Sequence, residues 1–260
     1  MNNALPAVLL AGGLGTRMRE ETEYRPKPMV EIGSQPVLWH IMKNLSVANV
    51  NEFVVCTGYK GQQIKDYFLN YHTSNHDFTV QLDQHSDVKI HKDEPLEKWT
   101  VTVADTGQNT MTGGRVNKIR KYVDGRRFLV TYGDGLANVN IHDLLQFHES
   151  HGLIATVSTV RPMSRFGVMD IEPNGTVNKF REKPQIDDWV NIGFFVFEPE
   201  IFEFLNDDCV LEREPLETLA KKGELRAFQH QGFWQPMDTY RESLMLNEMW
   251  EENSAPWKTW

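Results

Sequence analysis

An excess of basic charge, a disulfide framework and long apolar runs are all missing from this chain, and each absence removes a class of protein. Its net charge at pH 7 is −9 over 260 residues. Broad nucleic-acid or anionic-membrane surfaces need a basic face, so neither partner is expected. Cysteines number two, Cys56 and Cys209, too few for a disulfide scaffold and without metal-ligand spacing. Cys56 lies in the run Glu52-Phe53-Val54-Val55-Cys56, where it reads as a small buried hydrophobe. No apolar stretch approaches membrane-spanning length. The N-terminus lacks a basic segment, and its apolar run is too short for a signal peptide, so the reading is a cytoplasmic protein. Internal repeats and low-complexity linkers are also missing, which suits one α/β domain over residues 1–260. Two named phosphate fingerprints fail as well. Gly-x-Gly-x-x-Gly is broken because Met18 stands three residues after Gly15, and a Walker-type loop is broken because this one ends Gly15-Thr16-Arg17.

What is present is an apolar run that breaks abruptly into glycine. Ala7 to Ala11 carries no charge and suits a strand buried on both faces. Gly12, Gly13 and Gly15 then free the backbone for left-handed turns and close approach to a ligand. Such a loop turns several N–H groups toward one point, and that point suits an anion. Arg17 adds a planar charged fork and Lys27 a mobile point charge. Loop amides plus two cations read as a polyphosphate site; without the cations the stretch is a plain glycine-rich turn. Pro26 and Pro28 force an extended path that brings Lys27 back over the loop, and Met18 to Tyr24 reads as a short polar helix or lid.

The chain then alternates. Val30 to Ile32 is a short strand, Pro36 opens a helix over Val37, Leu38, Ile41, Met42 and Leu45, and Phe53 to Cys56 is a second core strand. A helix follows with Ile64, Tyr67, Phe68 and Tyr71 on one face. This strand–helix rhythm predicts a parallel, doubly wound sheet. Asp77 to Lys98 alternates polar with apolar residues and reads as peripheral antiparallel hairpin, with His85 and His91 as solvated surface. Thr110 to Arg115 is a second glycine loop at a helix start; a capped helix start is the plainer alternative. Phe128 to Tyr132 is a buried strand ending in Gly133-Asp134-Gly135. A carboxylate at the carboxyl end of such a strand is placed to hold a hard cation, and magnesium typically takes one or two protein carboxylates plus phosphates. Asp134 is therefore assigned to magnesium, with an unliganded turn as the alternative. Asp143 to His151 reads as an amphipathic helix with His148 and His151 on the surface, and Asn174-Gly175 marks a hairpin. A final helix carries Leu244, Leu246 and Met249, and the tail ends in Trp257 and Trp260, which suggest docking on the same chain or a subunit contact.

Gly12-Gly13-Leu14-Gly15-Thr16-Arg17 followed by Lys27-Pro28 resembles the sugar-1-phosphate nucleotidylyltransferases, which join a nucleoside triphosphate to a sugar 1-phosphate and release pyrophosphate. The resemblance implies a Rossmann-like three-layer α/β/α fold with a mixed sheet and small peripheral β-hairpins. Residues 1–135 would serve mainly the nucleotide and 136–260 mainly the sugar phosphate. It implies catalytic roles for Arg17, Lys27 and Asp134, and a nucleotide bed that includes Leu10, Ala11, Gly12, Gly13, Gly15, Thr16 and Gly133. Thr110, Gly114 and Arg115 would meet base or phosphate. Glu182, Asn191 and Gly193 would meet the sugar, with Lys183 at its phosphate. Trp-x-x-x-Asp at Trp234 to Asp238 matches the second magnesium-ligand position, although Asp238 also suits an N-cap. Longer segments, including Arg25 to Gly33, Met111 to Arg115, Phe233 to Thr239 and Ala255 to Trp260, resemble the branch that transfers a cytidylyl group from CTP to glucose 1-phosphate, making CDP-glucose for deoxysugars of surface polysaccharides. That branch implies a homo-oligomer, with a hexamer as one form. Ile192 departs from it where a glycine is expected, with the sugar pocket as the place of concern. Uridylyl or thymidylyl transfer and a non-catalytic sugar-nucleotide sensor of the same fold stand as alternatives.

Overall fold

The computed structural model describes residues 5–82, 87–91 and 96–260. Seven strands form the central sheet: β1 (Pro6–Leu10), β2 (Glu52–Thr57), β3 (Thr100–Asp105), β4 (Phe128–Tyr132), β5 (Ala155–Val160), β6 (Val190–Phe197) and β7 (Leu225–Gln229). Their spatial order is β7-β5-β6-β4-β1-β2-β3. Neighbours run parallel except at β6, which is antiparallel to both β5 and β4. The strand–helix rhythm alone predicts a parallel sheet, and β6 corrects it. Between β5 and β6 the chain makes a projecting hairpin, Val168–Ile171 against Val177–Arg181, instead of a helix. A parallel return needs a crossover, and none is supplied there.

The longer helices are α1 (Val37–Val47), α2 (Gly61–Leu69), α3 (Thr112–Lys118), α4 (Ile141–His151), α5 (Glu214–Lys222) and α6 (Tyr240–Glu251). Alternation along β1 sends its side chains to two cores. Ala7 and Leu9 pack with Leu38 and Ile41 of α1, Leu144 of α4 and Leu246 of α6. Val8 and Leu10 pack with Val116 of α3 and Leu216 and Leu219 of α5. Three layers result, with both sheet faces covered, which is why the strands read as unbroken apolar runs. Each of the valines, leucines and the isoleucine among these side chains, fully buried, contributes about 1.5–3 kcal/mol.

Several local expectations change. The helix expected through Tyr71 stops at Asn70, and a second short helix, Tyr71–Asn75, follows it. Asp77–Val80 pairs with Val88–His91 as an antiparallel hairpin, and His91 hydrogen-bonds the Thr79 hydroxyl at 3.0 Å; His85 lies outside the described residues. His148, expected on the surface, is fully buried. Its ring meets the Thr156 hydroxyl at 2.8 Å and the Glu198 carboxylate at 3.2 Å, and such partners are what let a histidine enter a core. Ile192 also points into the core rather than into a ligand cavity. The tail docks on its own chain. Trp257 is fully buried and stacks on Phe233 with centroids 5.6 Å apart, while Trp260 meets Trp39 edge-on at 5.8 Å. Among the described residues no helix is long and apolar enough to cross a membrane.

Candidate active site

β1 and β4 lie side by side with Leu10 opposite Tyr132. The loops leaving their carboxyl ends border a cavity of about 590 Å3, the place where open α/β sheets bind ligands. Leu10, Ala11, Gly12, Gly13, Gly15, Thr16 and Arg17 line it from β1, and Lys27, Gly133, Asp134 and Asp238 from elsewhere.

The Ala11 N–H still donates to the Cys56 carbonyl at 3.0 Å. Beyond it, the backbone N–H groups of Gly12, Gly13, Leu14, Gly15, Thr16 and Arg17 find no acceptor among the described residues. Six successive residues with unpaired amides border one cavity, a supply of donors suited to anionic oxygens. Gly15 has φ +63°, the left-handed region, and a Cβ there would lie 2.6 Å from Thr22 Cγ2. Thr22 holds the turn: its hydroxyl donates to the carbonyls of Gly15 and Met18 at 3.0 and 2.8 Å. The expected polar segment after the loop is one helical turn, Arg19–Thr22, pinned by the fully buried Met18.

Arg115 also borders the cavity, but its guanidinium is buried and committed to backbone. It donates to the carbonyls of Gly12, Thr57 and Gly107 at 2.9–3.0 Å and to the Thr106 hydroxyl at 2.7 Å. One side chain thus ties together the loops that leave β1, β2 and β3. Gly12 is required by that tie, because a Cβ would stand 2.1 Å from Arg115 Nη1. Gly12→Ala is expected to displace the guanidinium, lower stability by about 2 kcal/mol and cut turnover about 100-fold, read by thermal melts and steady-state kinetics.

Lys27 is nine-tenths buried and its Nζ donates to Asp134 Oδ2 at 2.6 Å and Asp238 Oδ1 at 2.5 Å. The exposed Arg17 reaches Asp238 Oδ2 at 2.7 Å. Two aspartates far apart in sequence therefore share one ammonium. The backbone brings them together: Trp234–Pro236 pairs antiparallel with Gly135–Ala137, and the Met237 N–H donates to the Asp134 carbonyl at 2.8 Å. Asp238 is not the N-cap of α6. Thr239 takes that place in a capping box with Glu242, and Glu242 also accepts the Asp238 N–H at 2.7 Å. The Asp238 carboxylate is thereby left for the cavity.

Other expected residues fall differently. Thr110 borders the cavity, its hydroxyl donating to the Thr106 carbonyl at 2.6 Å. Gly114 does not border it, and a Cβ there would meet the Asp207 carbonyl at 2.4 Å, so that glycine lets α3 close on the 206–209 loop. Glu182 and Lys183 stand exposed beyond the projecting hairpin, 4.0 Å apart, and do not border the cavity. Asn191 and Gly193 do not border it either; Asn191 is exposed, and its amide meets the hydroxyl of Tyr132, which does border it. The sequence reading missed Tyr132, Thr112 and Glu212. Glu212 sits in the run Glu212-Arg213-Glu214, which reads as ordinary solvated charge.

The Nucleotidyl transferase family model matches residues 6–234. Glucose-1-phosphate cytidylyltransferase of Salmonella typhi is 49% identical over 259 residues, covering 98% of this chain and 100% of that protein. The probable glucose-1-phosphate cytidylyltransferase of Bacillus subtilis (strain 168) is 43% identical over 258 residues, covering 98% and 100%. Among solved structures, HddC from Yersinia pseudotuberculosis superposes with a TM-score of 0.69 at 23% identity, covering 95% of this chain and 99% of that one, a likeness of fold. With its sheet order, its unpaired glycine-loop amides and its paired aspartates, the chain belongs to the nucleotidyl transferase family.

Proposed function

We propose that the protein transfers a cytidylyl group from CTP to α-D-glucose 1-phosphate, giving CDP-glucose and pyrophosphate for deoxysugar and O-antigen biosynthesis. The observation that carries the chemistry is the Lys27 ammonium between Asp134 and Asp238 beside six unpaired loop amides; the near full-length likeness to cytidylyltransferases supports the choice of substrates.

The loop amides and Arg17 hold the β- and γ-phosphates. Lys27 offsets charge at the α-phosphate. The family resemblance, rather than the cavity lining, gives the sugar to Glu182 and Asn191 and its phosphate to Lys183. That phosphate is already ionised at pH 7, so it attacks the α-phosphorus in line without a general base. A new P–O bond forms to the sugar phosphate as the bond to the pyrophosphate oxygen breaks. The protein contributes position and charge. Two carboxylates on one cation suit a hard divalent ion; magnesium held by Asp134 and Asp238 would supply further charge neutralisation on the phosphates. Residues 1–135 serve mainly the nucleotide and 136–260 the sugar phosphate. The free, buried cysteines fit a reducing cytoplasm. A homo-oligomer, with a hexamer as one form, is supported by the exposed Phe166, Met169, Ile171 and Phe180 on and beside the projecting hairpin.

Turnover of CTP, UTP and dTTP with glucose 1-phosphate, followed by pyrophosphate release, tests the reading. CTP is expected to be used at least about 100-fold more efficiently than the others, a ratio within reach of hydrogen-bonded base recognition. Equal use of UTP or dTTP, or no release with any of them, would overturn it.

A further inference from the structure

Along one wall of the cavity, lined by Thr112, Tyr132 and Glu212, a chain of hydrogen bonds has its direction forced by one carboxylate. Glu212 accepts from the Tyr132 hydroxyl at Oε1 and from the Thr112 hydroxyl at Oε2, the latter at 2.7 Å. Thr112 in turn accepts the Leu211 N–H at 2.9 Å, so its own proton goes to Glu212. An ionised carboxylate only accepts, so Tyr132 donates to it and turns a lone pair to Asn191. Asn191 Nδ2 donates to that lone pair at 3.3 Å, while its Oδ1 accepts the Gly193 N–H at 2.7 Å. Both ends of the amide are then defined, and one Nδ2 proton is left over. Burial, with the Glu212 carboxylate adding to it, pushes the Tyr132 phenol far above its ordinary pKa, so it stays a donor. The ring itself is clamped: Gly193 has φ +83°, and a Cβ there would lie 2.1 Å from Tyr132 Cδ2.

We propose that Tyr132 and Glu212 are positioning residues that orient the Asn191 amide toward the hydroxyls of the acceptor sugar, and so set affinity for the sugar 1-phosphate through Asn191. This rests on the reading above that Asn191 reaches the sugar. The same chain runs through Thr112 at the start of α3, in the loop assigned to the nucleotide, so one carboxylate holds two lining side chains.

Tyr132→Phe keeps the ring in its slot and removes only the hydroxyl. In the full-length protein its KM for glucose 1-phosphate is expected to rise about tenfold, with kcat and the KM for CTP within about threefold, the size of effect a lost hydrogen bond gives. Asn191→Ala is expected to raise the same KM. In the Asn191→Ala background, Tyr132→Phe should add less than about twofold, because the group it acts through is gone. Multiplying effects in the double variant overturn the proposal, as does an unchanged KM in Tyr132→Phe while Asn191→Ala raises it. An unchanged KM in Asn191→Ala removes the sugar reading itself, and the positioning role with it. A purely structural role predicts a shifted melting temperature with no preference for one substrate's KM, and that pattern also overturns the proposal.

Discussion

Lys27→Ala is expected to lower kcat about 1,000-fold while the protein stays folded. The ammonium is held at 2.6 and 2.5 Å by two carboxylates at the edge of the glycine loop. It is therefore fixed in place before any substrate arrives, and fixed charge aimed at a developing charge is the largest single contribution in most such sites, about 10²–10³ per group removed. Phosphoryl and nucleotidyl transfers offer the protein little else to do. Folding should survive for a local reason. Lys27 sits in a single 3-10 turn, Lys27–Met29, between two prolines that shape it independently of the side chain. The carboxylates left behind are not sealed in the core: the side chains of Asp134 and Asp238 keep 29% and 17% of their surface exposed, and Arg17 still pairs with Asp238. Residual repulsion between them is expected to lower the melting point by a few degrees, measured by circular dichroism. Asp134→Ala should show the same division between kcat and stability. Near-normal turnover in either variant would end the assignment.

The sequence shows the cavity end of this molecule more plainly than the rest, and for physical reasons. A buried parallel strand must be apolar on both faces, so Ala7 to Ala11 declares itself, and the glycines that follow have few other uses. Asp134 is legible because it ends such a strand. Asp238 is legible as a residue type, but its release from capping depends on Thr239 and Glu242 taking that work. What sequence hides is whatever depends on distant partners or direction. The apolar run Phe194 to Phe197 has the same composition whichever way it runs, and only the hairpin replacing a helix before it makes β6 antiparallel. Arg115 reads as a free cation, yet Gly12, Thr57 and Gly107, each at the carboxyl end of a different strand, occupy its donors. Glu212 looks like solvated charge until Tyr132 and Thr112 close on it. Histidines are the extreme case, since His40 and His148 are fully buried on helix faces that the sequence marks only by spacing.

His40 makes the fold acid-sensitive, and the sign follows from its partners. Ile32 can only accept, so Nε2 carries the proton and donates to that carbonyl at 2.9 Å; Nδ1 is then the acceptor for the Trp257 N–H at 3.5 Å. A second proton would face the Trp257 donor in a pocket walled by Trp39, Trp250 and Trp257. Burial accordingly pulls the His40 pKa down to about 4, against about 6.5 in an unfolded chain. Below pH 6.5 the unfolded chain takes up a proton that the folded one refuses. The stability held by neutral His40 is therefore complete above pH 6.5 and is lost as pH falls toward 4, on the order of 3 kcal/mol in all. Burial also lowers the pKa of His148, His151 and His230, which act in the same direction. His40→Gln retains a donor and an acceptor but does not titrate. Thermal melts between pH 7.5 and 4.5, where about 2.5 kcal/mol of this is lost, should show a fall in melting temperature for the parent that exceeds the fall for His40→Gln by about 5–10 °C, at roughly 2–4 °C per kcal/mol for a chain of this size. Because Trp257 and Trp260 pack around the same ring, tryptophan fluorescence should report release of the C-terminal tail in that acid range. An imidazole signal for His40 that titrates near pH 6.5 in the folded protein, with the tail still docked, would contradict the assignment of the ring as a neutral strut.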